Sequence, residues 1–550
     1  MDTYKAFLAI ILSFFILLGY QYFFTSTQPT SLPAQTEQQQ QHKEEGNATN
    51  TVAPAAPAIA PPVQVPVVPV DVDARDITVD TPLYRAVIFE QGGGLKSFVL
   101  KKYRTQRGQD ADAMELVKTT NPAELPMVFT LDNGVAGSLP VFKADKEQLN
   151  LQAGRDGQLV MTATLDSGLT IVRTLEFIAD SYLITSNYTI TNKGSAAQQI
   201  SPAMVITNAP YSVVNSSSRY LFSGPVAYIN NDLQEIKLKK LADGPQVLQG
   251  TVSWVAYEDN YFICAVIPEE SGIDLVTMSA TGDVVRSVVG GGVLSLAAGE
   301  SKTFQYKAYF GPKKLSVLKA TGYELSQAVN FGWFDALAKP MLFLLNFFYS
   351  YIGNYGIAII LLTCLIKGVF WPITQKGMKS MKNMQKLQPK VAKLKEKYKD
   401  DPTKMNQEMM AMYKTYKVNP VGGCLPMVIQ IPFFFALYRV LMAAIELRHA
   451  PFMLWMNDLS APDRLMIGID IPVLHGIPVL TLLMGASMYL QQKMTPTTAD
   501  PTQAKIMQFL PIIFTFMFIN FASGLVLYWL VNNLLSILQQ QLINRQLGKA

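Results

Sequence analysis

At 550 residues, with 49% hydrophobic but only 16% charged residues and a formal net charge of +5, the chain is too long for one domain and too rich in apolar stretches for a soluble enzyme. Cys264, Cys364 and Cys424 are scattered, as are His42, His449 and His475, which argues against an intradomain disulfide, a clustered metal site or a His-dependent nucleophile. A Ser–Lys arrangement stays open, and no cofactor is expected.

Residues 6–24 form an apolar run behind Lys5 and are followed by Thr25-Ser26-Thr27 without a convincing cleavage site, which predicts an uncleaved transmembrane signal anchor over 1–24. Residues 25–75 are rich in Gln, Ala and Pro, with Pro54, Pro57, Pro61 and Pro66 among them, and read as an extended linker. Residues 76–312 show short alternating or β-branched runs, clearest at 169–178, 182–191, 252–257 and 303–310. Asn192-Lys193-Gly194 and Gly290-Gly291-Gly292 supply turn signals between such runs. A large antiparallel β-sandwich is expected, a periplasmic domain if it lies outside the membrane of a Gram-negative cell. Its aromatics at strand spacing suit a core, or a carbohydrate or peptide groove, and no catalytic constellation accompanies them.

Residues 313–350 carry a mixed helical stripe, with Phe331, Trp333, Leu337, Met341 and Phe348, interrupted by Lys339-Pro340; this predicts an amphipathic segment at the membrane interface. Residues 351–550 form an α-helical membrane core with spans at 352–371, 423–445, 473–490, 506–520 and 525–541, the last two separated by Phe521-Ala522-Ser523-Gly524. With the anchor this makes six transmembrane helices. Lysines from Lys376 to Lys417 far outnumber Glu396, Asp400, Asp401 and Glu408, so the loop they occupy is cytoplasmic. The loop 447–470 has Arg448 and Arg464 against Asp458, Asp463 and Asp470 and suits the outer side. Both termini then lie in the cytoplasm and the β-domain outside. The basic loop is predicted to be a helical hairpin over 373–417, with Asp401 as N-cap and Pro402 at the first helical position. Met381, Met384 and Met409 lie on its apolar faces and offer a soft surface to incoming segments, or pack the hairpin's own core.

Lys367 lies inside the span 352–371, where a charge costs about 2.5–3.5 kcal/mol on insertion scales. It is four residues from Trp371, about 6 Å along the helix, so a snorkelling lysine and a functional charge are both open. Thr363 is one turn above it, and Gln430 near the start of the next, oppositely directed span lies at similar depth. The last span adds Tyr528, Asn532 and Asn533, while Pro426 and Pro432 can free backbone carbonyls. These groups either line a wet cavity or act as interhelical glue.

Pro420-Val421-Gly422-Gly423-Cys424-Leu425-Pro426, Gln430-Ile431-Pro432, Met494-Thr495-Pro496-Thr497-Thr498 and Ser523-Gly524-Leu525-Val526-Leu527-Tyr528 resemble the signature stretches of the YidC membrane protein insertases of Gram-negative type. The resemblance extends over nearly the whole chain. It implies a five-helix core enclosing a hydrophilic groove open to cytoplasm and lipid, with Lys367, Thr363, Gln430, Tyr528 and Asn532 as groove residues and no catalytic ones. It implies nascent membrane proteins as clients and a Sec-type translocon, the ribosome and the signal-recognition-particle receptor as partners, while the basic hairpin also suits anionic lipids. The family usually has arginine where this chain has Lys367, so a compact point charge replaces a planar fork. A secondary transporter would show paired halves, which are not evident; a periplasmic carbohydrate-active enzyme would leave five further spans unexplained.

Overall fold

The computed structural model describes residues 70–548 apart from 109, 135–138, 212–221, 271, 400, 417–424, 469–473, 475 and 495–500. The expected anchor, most of the linker, Pro420–Cys424 and Thr495–Thr498 lie outside the described residues.

The region up to Pro312 is β-rich. Its largest sheet has nine strands, with Phe262–Pro268, Ser301–Pro312, Leu183–Asn192 and Leu169–Ile178 adjacent at its centre. Leu183–Asn192 alternates part-buried and buried residues without a break, the period-2 pattern that made it legible. Two five-stranded sheets and a two-stranded ribbon complete the region. The expected antiparallel sandwich therefore needs correction in two respects: there are more than two sheets, and Gln148–Asn150 pairs parallel with Asp76–Asp80. That pairing joins segments far apart in sequence, beyond the reach of turn signals.

Gly290-Gly291-Gly292 separates strands as expected, closing Val284–Gly291 ahead of Leu294–Leu296, with Gly290 and Gly291 still inside the first of them. A Cβ on Gly291 would lie 2.3 Å from the Gly272 carbonyl oxygen, and the register of the facing strand shifts between Ile273 and Leu275. The glycines permit close backbone approach at an irregularity. The aromatics are core: Phe129 stacks on Tyr188 at 4.2 Å, Tyr84 on Phe98 at 4.5 Å, and Trp254 is fully buried.

A short helix, Leu315–Thr321, leads to the helical half. This comprises α1 (Asp335–Ile352), α2 (Tyr355–Lys397), α3 (Pro402–Thr415), α4 (Leu425–Ala443), α5 (Val479–Met494), α6 (Pro501–Phe518) and α7 (Ser523–Gly548). Lys339-Pro340 does not interrupt α1; Lys339 pairs with Asp335 one turn earlier at 2.7 Å, and the breaks fall before it, at Gly322 and Gly332. Pro340, the sixth residue of the helix, forgoes the one hydrogen bond its N–H would give to the Ala336 carbonyl, and the helix runs on past it. Gly353, at φ 70°, ends α1, and Asn354 caps α2 by accepting from Ile357 N at 3.1 Å.

Helix α2 does not stop at Trp371. Its 43 residues run through Pro372 and Pro389, so the span and the first arm of the hairpin are one rod of about 65 Å, roughly twice a bilayer core. Among the described residues α2 is the one helix long and apolar enough to cross a membrane, with shorter apolar stretches at Ile429–Ala443 and Gln508–Phe518. The predicted cap holds: Asp401 accepts from Lys404 N at 3.0 Å, with Pro402 opening α3. Helix α7 packs along both α2 and α5, and α1 packs on α2 and α4.

The β-rich region is joined to the helices by more than its chain connection. Arg448, in the loop after α4, donates to the Thr105 carbonyl at 3.1 Å and lies 5.6 and 5.5 Å from the Tyr261 and Phe262 ring centroids. Close by, buried Glu258 pairs with Lys313 at 3.0 Å.

Candidate functional site

Helix α7 carries a polar seam on its face toward α2. Asn532, Ser536 and Gln539 recur at helical spacing, and each reaches out of its own helix. Lys367 of α2, 8% exposed, donates to Ser536 Oγ at 2.7 Å and to Asn532 Oδ1 at 3.4 Å. Gln430 of α4 donates to the same Asn532 Oδ1 at 2.8 Å. Gln539 donates to the Trp371 carbonyl at 3.2 Å, gripping α2 where Pro372 follows. Three helices are thus joined through one amide oxygen.

A cleft lined by Ile366, Lys367, Phe370, Ile373, Thr374, Ile429 and Gln430 opens beside this junction. Its cavity volume of about 10 Å³ is room for about one water. Phe370 and Phe433 meet edge-on at 4.9 Å at its side. A cation, an amide and an apolar wall share one opening. Among the described residues no carboxylate pairs with Lys367.

The predicted groove residues divide. Lys367, Gln430 and Asn532 are brought into direct contact, and buried Tyr528 has Gln430 as a hydrogen-bond neighbour of its hydroxyl. Thr363 is buried but turns back, donating to the Ile359 carbonyl of its own helix at 2.7 Å. Asn533 lies on the other face of α7 and donates to Ser487 of α5 at 2.9 Å, which is glue between helices. The methionines divide as well. Met384 is buried beside Leu387 and Tyr413, so its expected place as an open client contact is corrected: it packs the hairpin's own core. Met381 and Met409 are half-buried, while Met410, unremarked in the sequence, is exposed.

Sequence reasoning missed Ser536 and Asp463. Ser536 could have been found by its spacing of four from Asn532. Asp463 gives no such signal: buried in the loop between α4 and α5, it accepts from Trp455 Nε1 at 2.6 Å and from Leu480 N at 2.5 Å, serving the start of α5 from outside that helix. Arg464 beside it donates to the Ile519 carbonyl and Asn520 Oδ1, both at 2.8 Å, tying the same loop to the end of α6.

Comparison with known proteins places this geometry. Residues 76–344 match the YidC periplasmic domain family and residues 347–550 match the 60Kd inner membrane protein family. The membrane protein insertase YidC of Pelobacter propionicus is 40% identical, over 98% of this chain and 99% of its own. The chain belongs to the YidC membrane protein insertase family. A second YidC insertase, from Oleidesulfovibrio alaskensis, is 42% identical over the same shares of the two chains. A solved YidC insertase with its first transmembrane domain resolved covers 88% of this chain and 94% of its own at 20% identity, with a TM-score of 0.35. The β-rich region is accordingly the periplasmic domain of an inner-membrane protein, and the family's activity is insertion and not catalysis.

Proposed function

We propose that this insertase moves nascent membrane segments through the inner-leaflet cleft between α2, α4 and α7, with Lys367 as an electrostatic attractor for the client's acidic or polar flank. The observation that carries this reading is Lys367 itself: a cation buried without a carboxylate among the described residues, at the edge of an opening it shares with Gln430. A cleft with room for one water cannot hold a polypeptide, so entry requires α4 to part from α7 and break the Gln430–Asn532 hydrogen bond. A side-chain hydrogen bond between membrane helices contributes only about 0.6 kcal/mol on average, so this contact yields easily. The client's flank takes its place against Gln430 and Lys367 while the apolar part leaves between helices into lipid. The membrane potential adds about 2.3 kcal/mol per elementary charge per 100 mV as an acidic tail moves outward.

In this reading residues 351–550 supply five spans and the N-terminal anchor the sixth, both termini are cytoplasmic, and the β-domain is a periplasmic scaffold. The excess of lysines along α2 and α3 beyond the span supports that orientation. The same lysines, with Met381 and Met409, meet incoming clients, anionic lipids and the ribosome, and the protein works alone or beside a Sec-type translocon and the signal-recognition-particle receptor.

Reconstitution tests it. The purified chain in vesicles, without nucleotide, is expected to insert a small single-span protein with an acidic translocated tail, and Lys367→Ala to slow that client more than one with a neutral tail. Equal rates for both clients in the parent and in Lys367→Ala would defeat the attractor.

A further inference from the structure

Ser536 makes the shorter of the two hydrogen bonds to Lys367 and belongs to none of the expected groove residues. It is 3% exposed and sits one turn after Asn532. Its Oγ donates to the Asn532 carbonyl at 2.8 Å, and its lone pairs face Lys367 Nζ at 2.7 Å. The ammonium has no acceptor, so the hydroxyl must accept from it, and giving its own single proton to the backbone carbonyl turns its lone pairs toward Lys367.

An unheld lysine at this depth carries its head along a flexible stem toward the nearer water interface. Here two donors of the ammonium are spent on Ser536 and Asn532, one N–H has no partner among the described residues, and Lys367 itself lines the cleft together with Ile366, Phe370 and Gln430. The geometry points to Ser536 as the positioning residue that holds the Lys367 ammonium inside the bundle, so that the cleft presents a fixed cation to an acidic client segment. The inference rests on Lys367 acting as the attractor and names what keeps it one. A single remaining N–H suits one oxygen of a carboxylate, and a planar fork is not required. The client class is then a segment with formal negative charge near the apolar stretch, not merely a polar one.

The test uses the full chain in vesicles and two clients that differ only in Asp or Asn within the translocated tail. Ser536→Val and Ser536→Thr have nearly the same shape and differ in the hydroxyl. Ser536→Val is expected to slow the Asp client about tenfold, from loss of a hydrogen bond to a charged group, and to leave the Asn client within about twofold. Ser536→Thr is expected to keep the parental difference between clients. In a Lys367→Ala background, Ser536→Val should add nothing, since the two act through one contact. Reductive methylation of Lys367, read by mass spectrometry, should rise severalfold with Val and not with Thr; Ser536→Ala supplies the same contrast if Val does not accumulate. The proposal is overturned if Val and Thr behave alike in methylation, or if Val slows both clients equally while Lys367→Ala remains selective. If Lys367→Ala is itself unselective, the attractor reading has failed, and Ser536 has no charge to position.

Discussion

The β-domain and the helical core each bury a cation that makes no ion pair with a carboxylate among the described residues, and the two are used differently. Arg173, 1% exposed, lies between strands with its Nη1 donating to the Gly93 carbonyl, its Nε to Ser186 Oγ at 3.0 Å, and its guanidinium 5.0 Å from the Tyr188 ring centroid. Its environment is closed, and burial pushes its pKa below the usual guanidinium range. Lys367 has a cleft beside it and polar partners from one neighbouring helix. A buried charge surrounded on all sides is architecture, whereas one at an opening is available to something that arrives.

That contrast is broken most directly at Arg173. Arg173→Ala leaves the Gly93 carbonyl and Ser186 without their donor and opens a cavity, and should cost about 3–5 kcal/mol of β-domain stability. Thermal unfolding of the full chain in detergent reads the loss, and insertion below the lowered transition should be nearly parental. A large insertion defect at unchanged stability would make Arg173 functional and dissolve the distinction. Lys367→Glu should do the reverse, slowing clients with acidic tails by about tenfold or more, since attraction becomes repulsion, with little change in the unfolding of the β-domain. Lys367→Arg keeps the sign and should retain most activity.

A third buried charge sharpens the comparison, because Glu258 has a partner and still resists ionisation. Burial raises its carboxyl to about 7, against the pull of Lys313, while Glu235 and Asp259 push in the same direction as burial. The folded state therefore holds a proton that the unfolded chain releases near 4.5, so stability falls as pH rises between those values. The expected effect is on the order of 2–3 kcal/mol between pH 5 and 8. Unfolding temperatures of Glu258→Gln should lose that slope; an unchanged slope would place the titration elsewhere.

How much of this was legible follows from how far each signal reaches. Alternation in Leu183–Asn192 and the Asp401-Pro402 cap are local patterns and could be read directly. Lys367, Gln430 and Asn532 could be singled out because polar groups in apolar runs are conspicuous, and the hydrogen bonds of Asn532 to both of the others join them in space. The parallel strand Gln148–Asn150 and the service of Asp463 to α5 depend on partners distant in sequence, and the continuity of α2 through Pro372 runs against the local signal of a proline. Periodicity placed Met384 on a helical face correctly but could not say whether that face met water or Tyr413.

The smallest expected effect concerns the joint between the two regions. A Pro-rich linker ahead of the β-domain suggests a separable module, yet Arg448 bridges the loop after α4 to Thr105, Tyr261 and Phe262, and Phe262 in turn meets Tyr103 edge-on at 5.5 Å. One hydrogen bond and two ring contacts, partly desolvated, together contribute about 1–2 kcal/mol. Arg448→Ala should therefore leave each region folded but loosen their union. Limited proteolysis should cut faster near Pro312–Lys314, and hydrogen exchange should rise at Thr105 and Tyr261 without spreading to Leu183–Asn192. Insertion of a small client should hold, since the cleft residues lie on α2, α4 and α7. If insertion falls in step with the loosening, the β-domain does more than scaffold, and the joint at Arg448 takes part in insertion.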